Sequence, residues 1–281
     1  MKIKEFKIDR LYGKYSFQSA LDEKVNILVG NNGAFKTTVL NIIRHTAAYG
    51  EVPSAEYESA ELELDGGISV RYPRKIMKDG QKMKAEDYVK EIHLDFVSTF
   101  DIKDKDANTQ QTLLDKRLHQ LQSDYGYYLS GLLKQLTGNF SEQGQVTREQ
   151  FEQIYTRKNM YVRLVDEAFK ETGKTIDTDS DKLRFRSSGD TTVEADRLSS
   201  GEKQLLIILL TALLEDGQEY VLMMDEPEIS LHISWQYKLI DWILQLNPNV
   251  QLILTTHSPM MFADGWGDKA IHMENITTTQ E

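Results

Sequence analysis

Two unbroken apolar runs, Tyr220–Met224 and Leu252–Leu254, constrain the fold more than any other feature of this chain. A strand that is apolar on both sides must be covered on both faces, as in parallel sheets flanked by helices. Val25–Val29 is a third strand of this kind, broken only by Asn26. Each of the three is followed by polar or turn-forming residues. Helical apolar spacing appears over 36–48 (Val39, Leu40, Ile42, Ile43), over 202–215 and over 235–245. The fold class is therefore α/β, with a mixed or parallel sheet. Residues 2–9 and 183–186 are further strands, a turn lies at Tyr12-Gly13-Lys14, and 58–96 holds short strands and a hairpin. Residues 108–136 and 148–171 are polar with helical spacing (Leu113, Leu114, Leu118, Leu121; Tyr128, Leu129, Leu132, Leu133) and predict two long helices. The expected organisation is a core of 1–103 and 176–281 with a helical lobe inserted at 104–175. A length of 281 residues suits one such domain.

Composition excludes several classes. There is no cysteine, so disulfides and thiolate metal sites are ruled out. The longest apolar run, Leu205–Leu214, is half of the ~20 residues that span a bilayer and predicts a buried helix. Met1–Phe6 is charged and lacks a signal core, so a cytoplasmic location without membrane contact is expected. A net charge of −11 argues against a generally basic nucleic-acid binder. One local stretch runs the other way: Arg71, Arg74, Lys75, Lys78, Lys82, Lys84 and Lys90, with Tyr72 and Tyr88 between them. It suits either contact with nucleic acid or an acidic partner, or a solvated hairpin.

Four segments carry chemistry. Gly30-Asn31-Asn32-Gly33-Ala34-Phe35-Lys36-Thr37-Thr38 lies between a strand and a helix, where backbone N–H groups can cradle phosphates. Lys36 would reach the β and γ phosphates of a nucleotide, and the Thr37 hydroxyl would ligate Mg²⁺. The pattern asks for glycine at the position of Phe35, where a positive φ would be an outlier for a bulky residue. Next, the strand 220–224 ends in Asp225-Glu226-Pro227. Asp225 at its tip would hold Mg²⁺ and Glu226 would act as general base toward water; an ordinary strand and turn is the plainer reading. Leu198-Ser199-Ser200-Gly201-Glu202-Lys203-Gln204 precedes the apolar helix and offers capping hydroxyls and free N–H groups. It is an anion site or a simple helix cap. Last, the strand over 251–255 leads into Thr256-His257-Ser258-Pro259, where His257 would contact a γ-phosphate or serve the structure alone.

In this order and on these elements, the four segments resemble those of the ATP-binding-cassette superfamily of P-loop ATPases. Ser199-Ser200-Gly201-Glu202 is similar to the signature of SMC- and RecF-like heads. Asp225-Glu226-Pro227-Glu228-Ile229-Ser230-Leu231-His232 and Thr256-His257-Ser258-Pro259 are similar to the corresponding segments of OLD/AbiEii-like AAA ATPases of bacterial defence and toxin–antitoxin systems. The likeness is good over 1–50 and 195–275. The stretch 95–101 occupies the place of the family's Q-loop but lacks its glutamine. The resemblance implies a homodimer with ATP and Mg²⁺ sandwiched between chains. Lys36, Thr37, Asp225 and Glu226 would come from one copy, with Ser199, Ser200 and Gly201 from the other.

A helix of ~28 residues reaches ~42 Å, which makes a lobe and not the long arm of an SMC repair head. Only a short tail follows His257, so no fused nuclease of the OLD type is expected. The leading expectation is thus an ATP-hydrolysing switch that gates a separate effector, a nuclease or toxin of anti-phage defence. The alternatives are a scaffold whose nucleotide site Phe35 blocks, and a DNA-repair or transporter-type ATPase subunit.

Overall fold

The computed structural model describes residues 1–49, 56–73, 75–98, 112–143, 147–180, 182–187, 189 and 191–279, with backbone alone for 139–143. Along the chain, β1 (Ile3–Leu11) and β2 (Tyr15–Ala20) form a hairpin, and β3 (Val25–Val29) leads into α1 (Lys36–Ala47). A meander of β4 (Ser59–Leu64), β5 (Ile68–Tyr72), β6 (Lys75–Lys78) and β7 (Gln81–Lys82) follows, then α2 (Ala85–Glu91) and β8 (Leu94–Ser98). The long helices are α3 (Leu113–Gln143) and α4 (Arg148–Phe169). After them come β9 (Lys174–Ile176), β10 (Arg184–Ser187), β11 (Thr191–Glu194) and α5 (Ser200–Leu214). The chain continues with β12 (Tyr220–Asp225), α6 (Ile233–Gln236), α7 (Leu239–Leu246) and β13 (Val250–Thr256). It closes with β14 (Ala270–His272), α8 (Met273–Ile276) and β15 (Thr277–Thr279).

These elements form two packing units. The first unites β1–β8, α1, α2, β12–β15 and α8; the second unites α3–α7 and β9–β11. The division differs from the one expected at 103 and 175. The turn carrying Ser199–Gly201 goes with the helices, because α5 packs along α3 and α4. An ion pair of 2.7 Å between Lys203 and Asp115 ties the first turns of α5 and α3.

In the first unit, the strands of the sheet β14-β3-β13-β12-β8 are all parallel. Every residue of β3, β12 and β13 is buried, as their apolar runs require. The second sheet of this unit, β15-β2-β1-β4-β5-β6-β7, is antiparallel. Helix α1 lies between the two sheets. Its Val39, Leu40, Ile42 and Ile43 share one core with Phe6, Ile8, Leu62 and Val70 of one sheet and Leu28, Val221, Met223 and Ile253 of the other. Burying each such side chain stabilises the unit by roughly 1.5–3 kcal/mol, so the first turn of α1 is rigidly placed. Helix α2 has no periodic apolar face; only Tyr88 is buried, and its hydroxyl donates to the Ala47 carbonyl at 2.6 Å.

In the second unit, the single helix expected over 235–245 is two. His232 caps α6, whose Trp235 indole donates to the Ala168 carbonyl at 3.1 Å. Helix α7 buries Leu239, Ile240, Trp242, Ile243 and Leu246. The break falls on exposed Tyr237 and Lys238, where the buried face changes. Among the described residues no helix is long and apolar enough to cross a membrane.

Candidate nucleotide site

The tips of β3, β12 and β13 are neighbours in one parallel sheet, so the residues just beyond them converge. After β3 the chain turns, with the Ala34 N–H donating to the Asn31 carbonyl at 3.1 Å and Gly33 at a φ of 82°. Asn31, Asn32 and Gly33 are exposed, while Gly30, Ala34, Thr37 and Thr38 are half-buried. Phe35 does adopt the left-handed conformation that its position demands, with φ 63° and ψ 17°. Its carbonyl starts α1 by accepting from Val39 N–H at 2.8 Å.

The Phe35 ring explains how a bulky residue holds this backbone. It lies 5.0 Å from Tyr15, 5.9 Å from Tyr12 and 6.1 Å from Phe17, centroid to centroid. Aromatic packing beneath the loop offsets a left-handed cost of roughly 1–2 kcal/mol. Phe35→Gly should relieve that cost but lose the ring, and Phe35→Ala should lose the ring and keep the cost. We expect Ala to be the less stable of the two by about 1 kcal/mol in urea unfolding. Mg·ATP affinity should stay within roughly threefold for Phe35→Gly, because the ring packs on Tyr12, Tyr15 and Phe17 and the amides remain.

Lys36 is 4% exposed. Its ammonium donates to the Gly30 carbonyl at 3.1 Å and to Nε2 of His257 at 2.7 Å. Burial holds it below the ordinary lysine value, while the carboxylates of Glu226, Asp225 and Glu228 pull the other way. The Thr37 hydroxyl donates to Asp225 Oδ1 at 2.8 Å, and the Thr255 hydroxyl donates to the same oxygen at 2.6 Å. Glu226 has a φ of 48°, with its N–H donating to the Thr255 carbonyl and hydroxyl at 3.1 and 3.0 Å. That strained turn swings its carboxylate to 3.2 Å from His257 Nε2.

The Thr37 hydroxyl and the Asp225 carboxylate make a hard-oxygen pair beside a phosphate loop, and these residues fit Mg²⁺, which prefers one or two protein oxygens plus phosphate and water. Among the described residues no group of three or more His, Asp or Glu forms an all-protein cage.

Ser199 and Ser200 are exposed and Gly201 is half-buried, at the start of α5. Ser199 is a capping residue: its Oγ accepts from Glu202 N–H at 3.3 Å and donates to Glu202 Oε2 at 3.0 Å. The Glu202 side chain is 3% exposed and meets Lys174 at 2.8 Å and the Thr172 hydroxyl at 2.9 Å. Burial pushes its carboxyl up, but Lys174, the Ser199 amide and the two hydroxyls together hold it below the ordinary glutamate value. Lys174→Met leaves this carboxylate buried without its cation, and we expect a loss of about 3 kcal/mol at neutral pH. The folded pKa is the lower one, so this contribution is present above the free glutamate value and is lost as pH falls through the folded one. Wild type and variant should therefore converge in denaturant stability as pH falls below the lowered value of the folded carboxyl.

Gly201 has a local reason as well. A Cβ there would lie 2.2 Å from the Ser230 carbonyl oxygen, so this backbone approach admits only glycine.

The basic stretch places Arg71, Lys75, Lys78, Lys82 and Lys84 on the surface around the β5–β7 edge; Arg74 lies outside the described residues. Of its aromatics, Tyr88 is core and the half-buried Tyr72 packs on Tyr57 at 5.0 Å. Lys78 is paired with Glu91 at 3.2 Å. The expected Q-loop stretch ends β8 beside β12, with 99–101 outside the described residues.

Two residues of the site escape sequence reasoning: Thr255, which orients Asp225, and Glu228, which binds the His257 loop. The signal for both is only their place, three residues or fewer from a recognised one.

Known proteins resemble this chain in sequence and in fold. A family model described as an AAA domain, putative AbiEii toxin, type IV TA system, matches residues 84–261. The Septu protein PtuA of Bacillus thuringiensis is 25% identical over 92% of this chain and 72% of its own length. The retron Vc95 probable ATPase of Vibrio cholerae serotype O1 biovar El Tor is 29% identical, over 39% of this chain and 27% of its own length. Among solved structures, an SMC head bound to the C-winged helix domain of ScpA aligns over 100% of this chain and 98% of its own, with a TM-score of 0.61 and 12% identity. The SMC head domain from Thermotoga maritima aligns over 94% and 92%, with a TM-score of 0.52 and 16% identity. The last two are likenesses of fold, an SMC-head-like P-loop ATPase architecture.

Proposed function

We propose that this chain, which belongs to the family of AAA domains described as putative AbiEii toxins of type IV TA systems, hydrolyses ATP between two copies of itself and thereby switches a separate effector protein. The observation that carries the reading is the convergence of Lys36, Thr37, Asp225, Glu226 and His257 at the tips of three adjacent parallel strands.

On this reading, the α1 N-terminal amides and Lys36 take the phosphates. Lys36 exchanges its present partners, the Gly30 carbonyl and His257, for phosphate oxygens. Thr37 and Asp225 would hold Mg²⁺, which supplies charge neutralisation at the phosphates when bound. Glu226 accepts a proton from the attacking water. His257, released from Lys36, donates or accepts at the γ-phosphate. Ser199, Ser200 and Gly201 of the second copy close the site, and their order is maintained by Glu202. The Phe35 ring, packed into the Tyr12–Tyr15–Phe17 cluster, supports an open cradle over a blocked one.

The names of two relatives, a Septu protein and a retron ATPase, support a role in defence against phage with a partner polypeptide as effector. The test is direct. Titration with Mg·ATP should show binding, and sedimentation should show ATP-dependent doubling of mass. Phosphate release should require Mg²⁺. A chain that neither binds Mg·ATP nor changes mass with it would leave the scaffold reading standing in place of this one.

A further inference from the structure

Asp225, Glu226 and Glu228 at the end of β12 are joined by hydrogen bonds to the four residues Thr255–Ser258 at the tip of β13. Thr255 serves Asp225 and the Glu226 amide, as described. The next three residues all serve Glu228. Its Oε1 accepts the Thr256 hydroxyl at 2.6 Å, the His257 N–H at 2.7 Å and the Ser258 N–H at 3.3 Å. Glu228 is 8% exposed, whereas its neighbour Ile229 is 57% exposed. A carboxylate so buried is costly unless several donors meet it. Here one oxygen collects three donors, the closest backbone one being the His257 amide, while the Ser258 amide is shared with the Thr256 hydroxyl at 2.9 Å.

Resting on the ATPase reading above, we propose that Glu228 is a positioning residue for His257: by gripping the His257 backbone it sets the imidazole between the Lys36 ammonium and the Glu226 carboxylate. Glu228 Oε1 is the acceptor of the His257 amide. The ring contacts it sets up are the 2.7 Å approach to Lys36 and the 3.2 Å approach to Glu226. The carboxylate lies one residue before the exposed Ile229, so the outward-facing turn and the histidine are joined by a single side chain. The Thr37–Asp225 and Lys36–Gly30 contacts do not depend on it.

The experiment is a double-mutant cycle of Glu228→Ala and His257→Ala, with Glu228→Gln as the conservative variant. Steady-state phosphate release and Mg·ATP titration are measured for each. Glu228→Ala should lower kcat on the order of 100-fold, the cost of misplacing a reacting group by about 1 Å. Its Mg·ATP affinity should stay within roughly threefold of wild type, since the phosphate and metal groups are untouched. Glu228→Gln keeps an acceptor oxygen and should recover most of that loss. In the His257→Ala background, Glu228→Ala should add nothing. A merely structural role would instead give the same fold-loss in both backgrounds, and that result overturns the assignment, as does wild-type turnover in Glu228→Ala. Wild type and Glu226→Gln run alongside separate the two readings: if neither releases phosphate in the presence of Mg²⁺, the ATPase reading fails. The His257 amide proton then tests the positioning itself. It should resonate far downfield in wild type and move upfield in Glu228→Ala; an unmoved amide there would overturn the proposal with no reference to hydrolysis.

Discussion

Glu226→Gln should leave Mg·ATP binding intact and slow phosphate release by about a hundred- to ten-thousand-fold, the usual contribution of a positioned general base. The substitution preserves volume and one oxygen, and the strained turn at φ 48° is set by backbone contacts to Thr255 that glutamine does not disturb. What it removes is the ability to take a proton. Lys36, Thr37 and Asp225 keep their places, so affinity should be unchanged while turnover stops. A second consequence follows from the switch: a dimer closed by ATP should persist, because the hydrolysis that would open it is lost. Titration, phosphate release and sedimentation on one sample check all three. A variant that turns over like wild type would move the base elsewhere, with His257 the next group to test.

Lys36→Ala and Gly201→Ala should each abolish turnover alone and restore it when mixed. Lys36→Ala removes the buried ammonium that reaches Gly30 and His257, and with it the charge that meets the phosphates, a loss on the order of 100- to 1000-fold. Gly201→Ala drives a Cβ against the Ser230 carbonyl oxygen and must push apart the start of α5 and the turn before α6. Such overpacking costs roughly 1–3 kcal/mol and displaces the exposed amides and hydroxyls of the Ser199–Gly201 turn. If the two half-sites come from different copies, a mixed dimer carries one site with both defects and one site with neither. An equimolar mixture would then recover about a quarter of wild-type activity, half the dimers being mixed and each having one good site. Recovery absent at all mixing ratios, with both variants folded, would mean that each chain completes its own site.

Much of the nucleotide site is legible in the residues because it sits at the ends of strands that announce themselves. Tyr220–Asp225 and Val250–Thr256 are apolar at nearly every position, and such runs fit only the middle of a doubly covered sheet. The polar residues that follow are therefore at strand tips, where phosphate and metal chemistry is found. Phe35 is the opposite case. Its departure from glycine is visible, but the compensation is supplied by Tyr12, Tyr15 and Phe17 on another hairpin. Strand β2 and helix α2 leave weak local signals, the latter because a single tyrosine anchors it.

The sequence by itself determined which segments become buried strands, that a phosphate-type loop precedes α1, and that two acids and a histidine end β12 and β13. These are local properties, set by side-chain polarity and turn chemistry over a few residues. Only the tertiary structure decided that β3 lies next to β13 and β13 next to β12, which brings Lys36, Asp225, Glu226 and His257 within hydrogen-bonding reach. It also decided that Glu228 turns inward to the His257 loop, that Glu202 is buried against Lys174, and that Ser230 forbids a side chain at Gly201. Each of these depends on contact between residues from about thirty to more than two hundred positions apart, and such pairings leave no mark on the local pattern of a chain.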